Sequence, residues 1–292
     1  MRSLTLRSPA KVNLFLKVIN KRPDGYHNLV TLFERIDLCD ELRFSLNSRG
    51  TIRLVCNDPQ VPLGRKNLVY KVAQKLKEDF QVPHGITIHI KKRIPVAAGL
   101  AGGSSNAATT LLGLNKIWKL SLNREELVAY AKRIGADVAF FLYDSSWALG
   151  TERGDKIQPF SSKIKLWHVV VTPRLKMYSR VVFEGLSLKK GGRTNLLTKK
   201  RYNVNILRRL LGKNDLYYIS QLLCNDLEAR VFQLCPRLMK LKERIRELNT
   251  CGVSLSGSGP SIFCLTNSQK SAQHIRDVLK KRYRRVFVVR TY

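Results

Sequence analysis

The chain has 292 residues, 44% of them hydrophobic, which is enough apolar surface to bury a substantial core without disulfide or metal staples. Lys and Arg number 53 against 21 Asp and Glu, a net charge of +32, so anionic partners are expected. The basic runs Lys91–Arg93, Lys199–Arg201 and Lys280–Arg285 are scattered, and no zinc-finger spacing, ribonucleoprotein aromatic motif or Gly-x-x-Gly clamp accompanies them. A solvated basic surface, or a general attraction for phosphorylated metabolites, is therefore favoured over specific nucleic-acid binding.

Six cysteines offer no close pair, and buried free thiols are expected. Arg2, Arg7 and Lys11 interrupt the N-terminal apolar residues, and no run approaches the ~20 apolar residues that cross a bilayer, so a cytoplasmic protein with no membrane partner is expected.

In chain order, "AKVNLFLKVIN" alternates, with Val12, Leu14, Leu16 and Val18 on one face and Lys11, Asn13, Phe15 and Lys17 on the other. The alternation predicts a strand. Pro23-Asp24-Gly25 is turn chemistry, and "LVTLFERIDL" returns to make a hairpin. A strand at "TIRLVC" precedes a helix over "NLVYKVAQKLKEDF", and "GITIHIKKRIP" alternates again.

The stretch "PVAAGLAGGSSNAATTL" follows, and the helical spacing of Ala107, Ala108, Leu111, Leu112 and Asn115 predicts a helix capped by Ser104 or Ser105. "NREELVAYAKRIG" is a second helix. A composition shift puts a domain boundary near Ser161, giving lobes 1–160 and 161–292. Beyond it, "RLMKLKERIRELN" carries an apolar stripe of Leu238, Leu241, Ile245 and Leu248, with Gly252 placed to end that helix. "VSLSGSGPSIFCLT" reads as a strand broken by a glycine-serine turn, "SAQHIRDVLKKRY" as an amphipathic helix and "RVFVVRTY" as a last strand. The whole predicts an α+β protein of two lobes.

A strand, a glycine-rich loop and a helix in succession suit a polyphosphate. Glycines let the main chain approach phosphate oxygens, and the helix start supplies positive potential. No lysine follows Gly103, so the Walker pattern is absent, as is the dinucleotide fingerprint. Tight packing of small residues would explain Ala107 and Ala108 but not the Gly-Gly-Ser-Ser run before them.

Three segments in order, "SPAKVNLFL", "PVAAGLAGGSSNAA" and "LSGSGPSIF", resemble the three signatures of the GHMP kinases, ATP-dependent small-molecule kinases. The wording of "RPDGYHNLVTLF", "GADVAFFL" and "NDLE" is similar to the branch that phosphorylates the 2-hydroxyl of a cytidine diphosphate-linked methylerythritol, in the methylerythritol phosphate route to isoprenoids. The resemblance implies a ribosomal-protein S5 domain 2-like N-terminal lobe and a ferredoxin-like C-terminal lobe. Rival readings are a mevalonate-, homoserine- or sugar-type GHMP kinase, and a basic RNA-associated protein.

By the same resemblance, Lys11 and Asp137 are the catalytic pair. ATP lies along Pro95, Val96, Ala97, Ala98, Gly99, Leu100, Ala101, Gly102, Gly103, Ser104 and Ser105, with Asn67 near the adenine. Asn13 meets the methylerythritol hydroxyls, Tyr26 and His27 read cytosine, and Phe183 closes the base pocket. Lys17 is a weaker substrate candidate, and Ser256–Ser261 buttress the loop. Mg²⁺ is implied with ATP, reached through the phosphates or by Ser104 or Ser105, although no carboxylate besides Asp137 stands out as a ligand.

Each role has a plainer alternative: a strand lysine, a turn aspartate, hairpin packing for Tyr26 and His27, and core for Phe183. His84, His89, His168 and His274 lack partners at recognisable spacing and are read as structural or exposed. The chain departs from the family at Ala139, where proline is common. A monomer or weak dimer is expected.

Overall fold

The computed structural model describes residues 3–186, 209–213 and 215–292. The basic run Lys199–Arg201 lies outside them. Two compact units interleave along the chain: one comprises residues 1–10, 38–96 and 101–144, the other 11–37, 97–100 and 145–292. Strands β1 (Ser3–Lys21) and β2 (His27–Asn47) are long enough to contribute to both.

In the first unit the strand order is β3 (Ile52–Cys56), β4 (Gly85–Lys91), then the second half of β2, with β3 parallel and β2 antiparallel to β4. Leu42, Phe44, Ile86, Ile88 and Ile90 are buried along these strands. Helix α1 (Leu68–Asp79) buries Val69, Val72, Ala73 and Leu76, a spacing that brings all four to one face. It packs on α2 (Gly102–Ile117), which also meets α3 (Arg124–Ile134) and the 3₁₀ turn Ala139–Leu142. Because α2 is enclosed on nearly every side, its small residues set how closely neighbours approach. A Cβ on Gly113 would lie 2.6 Å from the Phe44 ring.

The prediction of a serine cap for α2 is corrected by the structure. The helix starts at Gly102, its N-cap is Ala101 in a left-handed conformation (φ 54°), and no side chain caps it. Ser105 lies inside the helix, where its hydroxyl pairs with Ser8 at 2.8 Å. By contrast α3 carries a full capping box, Asn123 with Glu126, matching its predicted start.

In the second unit, β1 pairs in parallel with the short β8 (Cys224–Asn225), while Thr31–Glu34 of β2 pair with β5 (Trp147–Thr151), which continues to β6 (Lys156–Phe160). A separate antiparallel sheet runs β11 (Val286–Arg290), β7 (Trp167–Val171), β10 (Ile262–Thr266), β9 (Gly252–Leu255). Helices α4 (Ser179–Glu184), α5 (Leu216–Ser220), α6 (Glu228–Leu234), α7 (Pro236–Arg246) and α8 (Gln269–Lys280) also belong to this unit. Leu238, Leu241 and Ile245 of α7 join Ile275 and Leu279 of α8 and Val169, Val171 and Ile262 of the sheet in one core.

Gly252 does not end α7, which stops at Arg246. It opens β9, where a Cβ would sit 2.7 Å from Leu223, so close packing explains the glycine. His168, read as structural, is fully buried and holds Glu34 at 3.0 Å. All six cysteines are free. Among the described residues no helix is long and apolar enough to cross a membrane.

Truncating Leu241 to Ala should cost about 2–5 kcal/mol of stability, because the cavity cannot refill. Met239→Ala, on the exposed side of the same helix, should stay within about 0.5 kcal/mol. Urea denaturation of the two variants checks the contrast.

Candidate active site

The loop between β4 and α2 is held by its conformation. Ala97, Gly99 and Ala101 alternate in the left-handed region at φ 52°, 75° and 54°. Of the predicted ATP-loop residues, Pro95, Ala98, Leu100, Gly102 and Ser105 are buried anchors, while Ala97 and Gly103 are exposed and Val96, Gly99, Ala101 and Ser104 are partly so. Three of its glycines have different reasons. On Gly99 a Cβ would lie 2.1 Å from the Ser256 carbonyl oxygen, and on Gly102 it would lie 2.9 Å from Ile94. On Gly103 it would meet nothing within 4 Å, and Gly103 does not have a positive φ. Packing and backbone both permit a side chain there.

The first unit braces the start of α2 with buried polar groups. Asp40, fully buried, accepts from the main-chain N–H groups of Arg93 (2.7 Å) and Ile94 (2.9 Å), from Asn106 Nδ2 (2.9 Å) and from the Lys92 ammonium. Asn106 Nδ2 also reaches Ser8 Oγ at 2.9 Å, which in turn meets Ser105. A buried carboxylate is tolerated because each lone-pair direction finds a donor. The sequence reading missed Asp40, since nothing in "DLCDEL" distinguishes it from its exposed neighbour Glu41.

In the second unit Lys11 is 3% exposed and Asn13 2%, although strand alternation puts both on the polar face. The Lys11 ammonium donates to Asn13 Oδ1 (2.6 Å) and to the Gly99 carbonyl (3.1 Å), and stands 5.8 Å from the Phe33 ring centroid. Asn13 Nδ2 donates to Thr31 Oγ1 (2.7 Å), whose hydroxyl donates to the Phe15 carbonyl (2.8 Å). Thr31 thereby fixes which way the Asn13 amide points, a role the sequence reading did not assign.

The turn Ser256–Ser261 meets the same place. Ser256 Oγ donates to the Gly99 carbonyl at 2.9 Å, the Ser261 N–H donates to the Ala98 carbonyl at 3.3 Å, and Asn225 Nδ2 donates to the Gly257 carbonyl at 2.8 Å. Ser258 and Ser179 share a hydroxyl hydrogen bond of 2.7 Å, which ties α4 to that turn. One turn along α4, Phe183 packs on His27 with ring centroids 5.3 Å apart and planes tilted by 32°. Tyr26 is exposed, and the Arg153 guanidinium lies 5.2 Å from its ring centroid. Lys17 pairs with Asp226 at 3.2 Å.

Asp137 is partly buried in the turn that follows Gly135, where the Val138 N–H donates to the Gly135 carbonyl at 3.2 Å. Ala139 is buried and begins the 3₁₀ turn. Asn67 caps α1: its Oδ1 accepts from the Val69 N–H (2.9 Å) and its Nδ2 donates to the Pro62 carbonyl (2.7 Å). Among the described residues no group of three His, Cys, Asp or Glu side chains could hold a metal.

A family model described as the GHMP kinases N terminal domain matches residues 67–145, and one described as GHMP kinases C terminal matches 207–285. A protein of Geobacillus kaustophilus named 4-diphosphocytidyl-2-C-methyl-D-erythritol kinase is 38% identical over 288 residues, covering 98% of this chain and 96% of its own. A crystal structure of 4-(cytidine 5'-diphospho)-2C-methyl-D-erythritol kinase superposes with a TM-score of 0.80 at 31% identity, covering 99% of this chain and all of that one. Homoserine kinase from Cytophaga hutchinsonii shares the fold, with a TM-score of 0.76 at 22% identity, covering 100% of this chain and 95% of its own.

Burial, with the nearby Lys21 charge second, holds the His27 imidazole below its usual 6.5. The unfolded chain therefore protonates first on acidification. The stability contributed by the neutral ring is present above 6.5 and is lost as pH falls through the native value. An NMR titration should give a midpoint below 6.5 for His27; a midpoint at or above 6.5 would contradict this burial.

Proposed function

This chain belongs to the GHMP kinase family, and on that premise we propose that it transfers the γ-phosphate of ATP to the 2-hydroxyl of 4-diphosphocytidyl-2-C-methyl-D-erythritol, a step of isoprenoid precursor biosynthesis by the methylerythritol phosphate pathway. The observation that carries the phosphate site is Gly103. An exposed helical glycine costs stability, and here neither packing nor φ requires it, so an approaching ligand is the remaining reason. The uncapped start of α2 offers N–H groups to the same ligand.

Phosphoryl transfer depends mainly on positioning and on charge around a loose transition state. The 2-hydroxyl oxygen forms a bond to the γ-phosphorus as the bond to the β,γ-bridging oxygen breaks and ADP leaves. Asp137 is assigned to accept the hydrogen bond of the attacking hydroxyl and to take its proton late. A carboxylate with an ordinary pKa of ~4 orients an alcohol better than it deprotonates one. Lys11 is assigned to the transferring phosphoryl group. Its ammonium is oriented in part by the Asn13 amide and the Gly99 carbonyl, with the Phe33 ring nearby.

The loop from Pro95 to Ser105 is assigned to the triphosphate, with the exposed and partly exposed members making contact and the buried ones anchoring it. Asn67 remains assigned to the neighbourhood of the adenine, acting as the cap of its helix. Asn13, Tyr26, His27 and Phe183 are assigned to the cytidyl substrate. The contact between His27 and Phe183 supports a shared aromatic wall. Mg²⁺ would enter with the nucleotide and neutralise its phosphates. Ser104, partly exposed, fits as a neighbour of that ion; the Ser105 hydroxyl, buried against Ser8, does not.

We further assign the protein to the cytoplasm as a monomer or weak dimer with no specific nucleic-acid partner. The functional boundary is placed near Ser161, between the two family segments.

Turnover with ATP should be efficient with the cytidyl alcohol and negligible with mevalonate or homoserine; equal use of either alternative would refute the substrate assignment. Asp137→Asn should lower kcat by about 10²-fold or more while ATP still binds. Gly103→Ala separates ligand from scaffold: thermal unfolding should rise slightly, by up to about 1 kcal/mol, while KM for ATP increases. An unchanged KM would remove Gly103 from the nucleotide site.

A further inference from the structure

The second unit contains a cavity of about 1020 Å³ that shares no residue with the candidate active site. One wall is α7, whose Arg237, Lys240 and Arg244 recur at intervals of three and four and so line one face of the helix. The rest of the basic lining is Arg174, from the segment after β7, and Arg282, Arg284 and Arg285, from the turn between α8 and β11, two segments joined by the Thr172 N–H donating to the Arg285 carbonyl. The floor is apolar: Leu238 and Leu241 lie buried beneath, with Leu175 and the partly buried Tyr283 packed on the same core.

Seven cationic side chains thus surround one concavity that contains two carboxylates, Glu243 and Glu247. None of the seven is ion-paired to a described residue. Like charges gathered at a concave surface focus a positive potential, which an anion bearing several charges relieves. Basic side chains drawn from three segments suit a row of phosphates better than one isolated phosphate, because each phosphate oxygen pair takes its own guanidinium. The volume lies at the upper end of the range for small-molecule sites, about 300–1,000 Å³. A single aromatic ring offers a stacking platform for one base, whereas sites for single-stranded nucleic acid present successive rings to successive bases.

We propose that this cavity is a second nucleotide site, one that binds a nucleoside oligophosphate with its phosphates between α7 and the 282–285 turn and its base on the Tyr283 side of the floor. It accounts for part of a positive charge that a single phosphate loop does not require.

Equilibrium dialysis of the full chain with the non-hydrolysable analogue AMP-PNP, at about 0.15 M salt, tests the proposal. Two sites per chain are expected. Arg237→Glu combined with Arg244→Glu, both exposed positions, should leave one site, with kcat and KM for ATP changed less than about twofold. Lys240→Glu with Arg282→Glu should do the same, which guards against misfolding of either pair. A single site in the unaltered protein, or two sites surviving in both variants, would overturn the proposal. So would displacement from the second site by inorganic tripolyphosphate as effective as by AMP-PNP, since the base would then contribute nothing. Binding of a 20-residue oligouridylate, lost in both variants while AMP-PNP fills one site throughout, would make the cavity an RNA surface instead.

Discussion

The carbonyl oxygen of Gly99 is where the second unit converges. It accepts from Lys11, 88 positions earlier, and from Ser256, 157 positions later, at 3.1 and 2.9 Å. Both donors fit because residue 99 has no Cβ; any side chain would strike the Ser256 carbonyl, and φ 75° would strain it besides. A hydrogen bond from an ammonium contributes about 1.5–3 kcal/mol net, about twice a neutral one, so the pairing sets the loop and the lysine together.

From that point the constraints spread outward through short polar links. Asn13 divides its amide between Lys11 and Thr31, so the first two β-strands fix the ammonium before any ligand arrives. The serine turn that braces Gly99 also holds α4 through Ser258 and Ser179, and α4 carries Phe183 to His27. Lys11, assigned to the transferring phosphoryl group, is thus linked within the second unit to His27 and Phe183, assigned to the base. Preorganisation of this kind lowers the barrier because the donors are already oriented when the charge develops. In the first unit Asp40 does comparable work for α2, with the difference that its partners include a second charged group, the Lys92 ammonium.

Elements with clear periodicity were legible in the sequence: the strand around Val12–Val18, the helices α1, α3, α7 and α8, and the hairpin at Pro23-Asp24-Gly25. Local chemistry was less reliable where a neighbour distant in sequence decides the outcome. Ser104 and Ser105 look like caps, but the left-handed Ala101 starts the helix and Ser8 claims Ser105. Gly252 looks like a helix stop, yet it opens β9 and packs against Leu223. Lys11 and Asn13 lie on the polar face of an alternating strand and are nonetheless buried, because the Gly99 carbonyl and the Thr31 hydroxyl receive them. Asp40 and Thr31 carried no signal at all, since their meaning rests on Asn106 and Asn13, which are close only after folding. Lys11 and Asp137 were picked out by resemblance to a family and not by spacing.

Bare main chain between residues 97 and 104 is assigned here to grip a nucleotide's phosphates. A crystal structure of the protein with AMP-PNP and the cytidyl alcohol tests it most directly. Phosphate oxygens are expected within hydrogen-bonding distance of the N–H groups of Gly103 and Ser104, with the terminal phosphate beside Lys11. A triphosphate lodged away from this loop, with Gly103 facing solvent, would contradict it.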